Sequence, residues 1–118
     1  MALESDLTTL LKTVCPRVYP DIAPDPMPVR PFVTYQQVGG EVVNLLANAL
    51  VDKRNARMQI NVCADTRLAA SALAGQIEDA MKLAAVFQAR PIGTWVSQHE
   101  PQLRLFGAMQ DFTIWYAR

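Results

Sequence analysis

His99 is the only histidine in the chain, and its neighbour Glu100 makes it the one adjacent acid–base pair. Adjacent residues on a strand point to opposite faces, so these two side chains cannot pass a proton directly. A solvated or interface histidine is the reading that fits. Glu78-Asp79 sets two carboxylates side by side, but consecutive helical residues do not face each other, which leaves a solvated face. Cys15 and Cys63 are the only cysteines, and with a single histidine they suggest no metal site. They are expected as small, reduced, apolar side chains, Cys15 at a helix end and Cys63 inside a strand. Gly39-Gly40 lacks the third glycine and the following Lys-Ser/Thr of a phosphate-binding loop. Lys53, Arg54 and Arg57 form the only local basic run. It is either ordinary surface charge or a contact for an acidic partner surface, since three charges are few for nucleic acid. No nucleophile–base pair is visible, so neither catalysis nor a cofactor or metal is expected.

The balance of charge agrees. Eleven Lys and Arg offset eleven Asp and Glu, a net charge of zero at pH 7. A protein devoted to nucleic acid usually carries a basic excess that displaces phosphate counterions, so sequence-specific nucleic acid is not an expected partner. Zero net charge also removes one barrier to self-association. At 118 residues, 51% hydrophobic and 19% charged, the chain is expected to fold as one domain over 1–118. Its start, MALESDLTTLLK, has no apolar run of signal-peptide type. No stretch approaches the ~18 apolar residues that span a membrane. A reducing, cytoplasmic setting without a membrane partner is the expectation.

Leu3, Leu7, Leu10, Leu11 and Val14 recur at helical spacing behind Glu4 and Asp6, predicting a helix over 2–14 that Pro16 closes. Six of the eight prolines lie in 16–31, read as extended coil with a short strand at 17–19. Residues 32–38 (FVTYQQV) are β-branched and aromatic, hence a strand, broken by Gly39-Gly40. The apolar residues of 41–55 have no clear period, so a helix, a hairpin arm and a loop all remain open. In 56–64, Ala56, Met58, Ile60, Val62 and Ala64 alternate with polar residues as in a half-buried strand. Asp65 is placed to cap a helix over 66–84, with Ala69, Leu73, Ile77, Ala80 and Ala84 inward and Glu78 outward. Strands are expected over 94–100 and from Ala108 to the end, with Gly107 in the turn between them. On that last strand Phe112, Ile114 and Tyr116 oppose Trp115. Either Trp115 projects from an uncovered face as an interface residue, or the faces are reversed and it is core.

These elements define an α+β fold: an antiparallel or mixed β-sheet of four or more strands with two helices packed on one face. In overall layout, and in the blocks RPFVTY, RNARMQINV and DFTIWY, the whole chain resembles the small phage and prophage tail-completion proteins, also described as tail-terminator or head–tail joining proteins. The resemblance implies a structural protein of the virion tail, assembled in the bacterial host cytoplasm. It implies a homo-oligomeric ring, typically a hexamer, at the head-proximal end of the tail. The ring would stop growth of the tube, with the tail-tube protein and the head connector protein as partners. It brings no catalytic residues. A small-ligand or regulatory binding module of the same fold is the alternative, and an enclosed apolar pocket would favour it.

A closed ring needs two different surfaces that meet head to tail. The expected pair is an arm over 39–55 carrying Leu45, Leu46 and Leu50, which gains order against a neighbour, and the sheet face around Trp115. Lys53, Arg54 and Arg57 at the base of the arm would fix its orientation.

Overall fold

The computed structural model describes residues 3–42 and 53–117. Helix α1 is Leu3–Lys12. Strands β1 (Val18–Pro20), β2 (Phe32–Gly39) and β3 (Lys53–Ala64) follow, then helix α2 (Arg67–Lys82) and strands β4 (Gln88–Glu100) and β5 (Leu105–Ala117). The five strands form one sheet in the order β1-β2-β3-β5-β4, with β1 parallel to β2 and every other pair antiparallel. The sheet is therefore mixed, and the expected α+β class holds.

Alternation along the strands sorts the sheet into two unlike faces. On one, Val33 and Tyr35 of β2, Ala56 to Ala64 at every second position of β3, and Ala108, Phe112 and Ile114 of β5 are buried. Against them α2 lays Ala70, Leu73, Ala74, Ile77 and Met81. Each large side chain withdrawn from water in this layer contributes roughly 1.5–3 kcal/mol. Helix α1 shares that face: Leu3, Leu7 and Leu11 join the same core, and the Thr8 hydroxyl donates to the Tyr35 hydroxyl at 3.1 Å. Both helices thus lie on one side, as the strand pattern implied.

Several expectations need correction. Thr66, not Asp65, caps α2. Thr66 is extended, and its Oγ1 accepts the Ala69 amide at 3.1 Å, while the Asp65 carboxylate is drawn to Arg30 at 3.2 Å. The buried stripe of α2 is turned from the expected one. Ala69 is exposed and Met81 is fully buried, because the unbranched methionine continues the 70, 74, 77 row over the sheet. Strand β4 begins at Gln88, well before Thr94, and runs through Pro91 and Gly93. As an edge strand it tolerates a proline, and its register shifts between Ile92 and Val96 where Gly93 takes φ 73°. Gly107 lies inside β5, not in the turn. A side chain there would come within 3.0 Å of the Val62 carbonyl oxygen, so close approach of β3 accounts for the glycine.

The proline-rich link between β1 and β2 is fastened by two arginines the sequence reading did not single out. Arg17 Nε donates to the Val29 and Pro31 carbonyls at 2.8 and 3.1 Å. Arg30 donates to the Leu103 and Arg104 carbonyls at 2.9 and 3.0 Å while pairing with Asp65.

Gln110 is the polar residue buried under α2. Its Nε2 donates to Glu78 Oε1 at 2.8 Å and to the Gly93 carbonyl at 2.9 Å, tying the helix to the β4 bulge. Glu78 is therefore not simply a solvated carboxylate. The Gln110 hydrogen bond, aided by Lys82 at 3.4 Å, holds it below its ordinary value of 4.5. A depressed carboxyl favours the fold above its unfolded pKa and loses that contribution as pH falls through the folded one. Gln110→Met should accordingly lower stability at neutral pH and show a shallower further loss between about pH 5 and 3 than the parent. Urea midpoints across that range test it, and parallel curves would show that the Gln110–Glu78 bond contributes nothing to the pH dependence.

Candidate assembly surface

Neither helix packs on the second face of the sheet. Its middle is built from Arg57, Gln59, Asn61 and Cys63 of β3 beside Met109, Asp111, Thr113 and Trp115 of β5, with Arg90, Ile92 and Val96 of β4 at the edge. Arg57 reaches diagonally across the strands to Asp111 Oδ2, with Nε at 2.8 Å and Nη2 at 2.7 Å. Near the link, Tyr19 and Phe32 meet edge to face with centroids 6.4 Å apart.

Trp115 stands opposite Asn55 on one side and Gln88 on the other, half-buried, at the end of β5. Lys53, one alternation step from Asn55, and Arg90, one step from Gln88, flank it on the same face. Both are exposed, and neither has an ion-pair partner among the described residues. Asp111, a carboxylate on that face, is held by Arg57. A groove of about 520 Å³ opens beside this corner, lined by Lys82, Phe87, Gln88, Arg90, Thr113 and Trp115 among others.

The structure brings Lys53, Arg57 and Trp115 onto one face and puts Arg54 on the other, since β3 runs regularly from Lys53. The expected arm over 39–55 is thus shorter at its C-terminal end, where Lys53 to Asn55 belong to the sheet. Leu45, Leu46 and Leu50 lie outside the described residues. Trp115 is on the face opposite Phe112 and Ile114, which settles the strand alternation in favour of the uncovered side.

Asn55 anchors the base of that segment. Its Nδ2 donates to Thr113 Oγ1 at 2.8 Å and to the Ile114 carbonyl at 3.3 Å, and its Oδ1 accepts the Glu41 amide at 2.9 Å. Gly40, at φ 152°, lies directly on the Asn55 carbonyl, where a side chain would collide with backbone. The pairing of Gly39-Gly40 with an asparagine fifteen residues on was the only trace of this joint in the sequence, and nothing in the periodicity marked it.

The remaining reactive groups stay apart. The His99 ring stacks on Phe106 at 4.3 Å and 14°, whereas Glu100 accepts the Gln102 amide at 3.2 Å. Cys15 and Cys63 are free thiols, as expected; burial pushes the Cys63 thiol up, partly offset by Arg30. Among the described residues no cluster of His, Cys, Asp and Glu is placed to hold a metal ion, and no helix is long and apolar enough to cross a membrane.

The domain thus has one face closed by helices and the other left bare around a basic, aromatic corner. The chain belongs to the family described as tail completion protein gp17, whose profile matches residues 2–117. It is therefore a structural protein of phage tail assembly and a component of the virion tail. No curated protein matches it significantly.

The Asn55 joint yields a direct test. Gly40→Ala meets both a positive φ and the Asn55 backbone, so it should destabilise the fold by about 1–3 kcal/mol. Asn55→Leu should expose the Glu41 amide to fast hydrogen exchange. An unchanged denaturation midpoint in the first, or unchanged protection at Glu41 in the second, would refute the joint.

Proposed function

We propose that this protein closes the head-proximal end of the tail tube as one subunit of a ring, six copies by the family resemblance. In that position the ring stops tube growth and offers the head connector its docking surface, so its partners are further copies of itself, the tail-tube protein and the connector. Assembly takes place in the host cytoplasm. The observation that carries this reading is the uncovered corner at Trp115, flanked by Lys53 and Arg90, which have no ion-pair partner among the described residues, on a chain of the tail completion family. A half-exposed tryptophan between two cations is a typical anchor of protein interfaces.

The segment from Gly40 to Lys53 supplies the other half of the joint in this proposal, through Leu45, Leu46 and Leu50. In this proposal that segment and the Trp115 corner are the two different surfaces that a rotational ring requires. Lys53 and Arg57 lie at its root, and Arg54 beside them, where they set orientation more than affinity.

Trp115→Asp and Leu46→Asp should each fold, by circular dichroism, yet leave tails incomplete in a complementation assay. Trp115→Ala should weaken self-association by about 2 kcal/mol or more. If both folded aspartate variants completed tails at parental yield, neither surface would be part of the joint.

A further inference from the structure

The groove beside Trp115 and the proline-rich link occupy opposite edges of the sheet and are opposite in character. Between Arg17 and Arg30 the chain carries Asp21 and Asp25 and no basic residue. The two flanking arginines are turned onto backbone carbonyls and Asp65, and neither forms an ion pair with Asp21 or Asp25. The link also leaves its apolar side chains in water: Ile22 is 80% exposed, Val29 73% and Met27 42%. Four prolines within 20–28 restrict its backbone and lower the cost of ordering it on a partner. The groove offers the complement, with the half-buried ring of Trp115, the cations Arg90 and Lys82, and Lys53 just beyond Trp115; Phe87 in its lining is buried. Lys82 is shared with Glu78 at 3.4 Å, whereas Arg90 and Lys53 have no partner among the described residues. A half-buried tryptophan beside cations suits an exposed apolar segment that carries acidic residues.

A chain cannot fill its own groove. The link is fixed beside β2, where the Asp21 amide donates to the Tyr35 carbonyl at 2.7 Å. The groove lies four strand spacings away, roughly 19 Å, at the far end of β5. We propose that the groove lined by Phe87, Arg90 and Trp115 receives the acidic link around Asp21, Ile22 and Asp25 of a second copy. This rests on the ring reading above, for which it names one pair of contacting surfaces.

Ile22 and Gln88 are exposed, so cysteines there leave the core untouched. In assembled tails, a Cys63→Ser chain with Ile22→Cys and Gln88→Cys should form disulfide-linked multimers of this protein on mild oxidation, and either cysteine alone should not. Lys53→Glu with Arg90→Glu should weaken tail completion roughly tenfold, as should Asp21→Arg with Asp25→Arg, and the four changes together should restore it. Tails holding several copies, counted by quantitative mass spectrometry, but giving no 22–88 link and no rescue would overturn this contact and leave the ring standing. A 22- or 88-cysteine captured by another tail protein instead would also overturn it. One copy per tail would overturn the ring itself, and this contact with it.

Discussion

The long antiparallel ladder between β3 and β5 runs without interruption from the Lys53–Ala117 pair to the Ala64–Phe106 pair. Side chains on paired strands alternate with a period of two, so this single register decides which side of the molecule every neighbouring residue occupies. It puts Ala56, Met58, Ile60, Phe112 and Ile114 under the helices and Arg57, Asp111 and Trp115 in the open. A slip of one residue would exchange the two sets, placing charge beneath α2 and the core in water. The Arg57–Asp111 pair adds little energy at a partly exposed site, but it is satisfied only in the observed register. Asn55, two residues along β3, adds three hydrogen bonds at the same end of the ladder.

The rest of the molecule builds outward from this pair by unequal means. On one side β2 and the three-residue β1 extend the sheet, and the link beyond them is fastened by Arg17 and Arg30 rather than by packing. On the other, β4 follows β5 for its whole length, and Gln110 ties its bulge to α2. The outcome is an elongated body, 54 × 27 × 24 Å, whose two flanks differ in charge and in how they are held. That difference is what a head-to-tail contact requires, whereas identical flanks would favour a two-fold dimer.

Elements with a strong period were legible in the sequence. The alternation of 56–64 and of the closing strand gave both strands and both faces, and the leucines of α1 gave that helix. The parts that misled were decided by tertiary contact. The cap passed from Asp65 to Thr66 because Arg30 lies within reach of the carboxylate. Pro91 and Gly93 resembled breakers, yet an edge strand tolerates both. Gly107 resembled a turn until its nearness to Val62 was visible. Of the candidate site, alternation set Trp115 against Phe112 and Ile114 without fixing which side was covered, and Lys53 showed only as part of a basic run. Arg90 was hidden by the proline beside it, and Asn55 and Gln110 were hidden because a single polar residue in an apolar run has no pattern of its own.

Strand β4 also bears on how the protein keeps while it waits. A thirteen-residue edge would ordinarily invite another chain to add a strand and continue the sheet without limit. Pro91 removes one amide from that row, and the shift between Ile92 and Val96 twists the remainder away. The opposite edge is only three residues long and ends in Pro20. Backbone-driven fibre growth is thereby suppressed at both margins, and copies can meet only through side chains, whose geometry saturates after a fixed number of neighbours. A chain whose margins are guarded in this way stacks edge to edge into fibres less readily at high concentration.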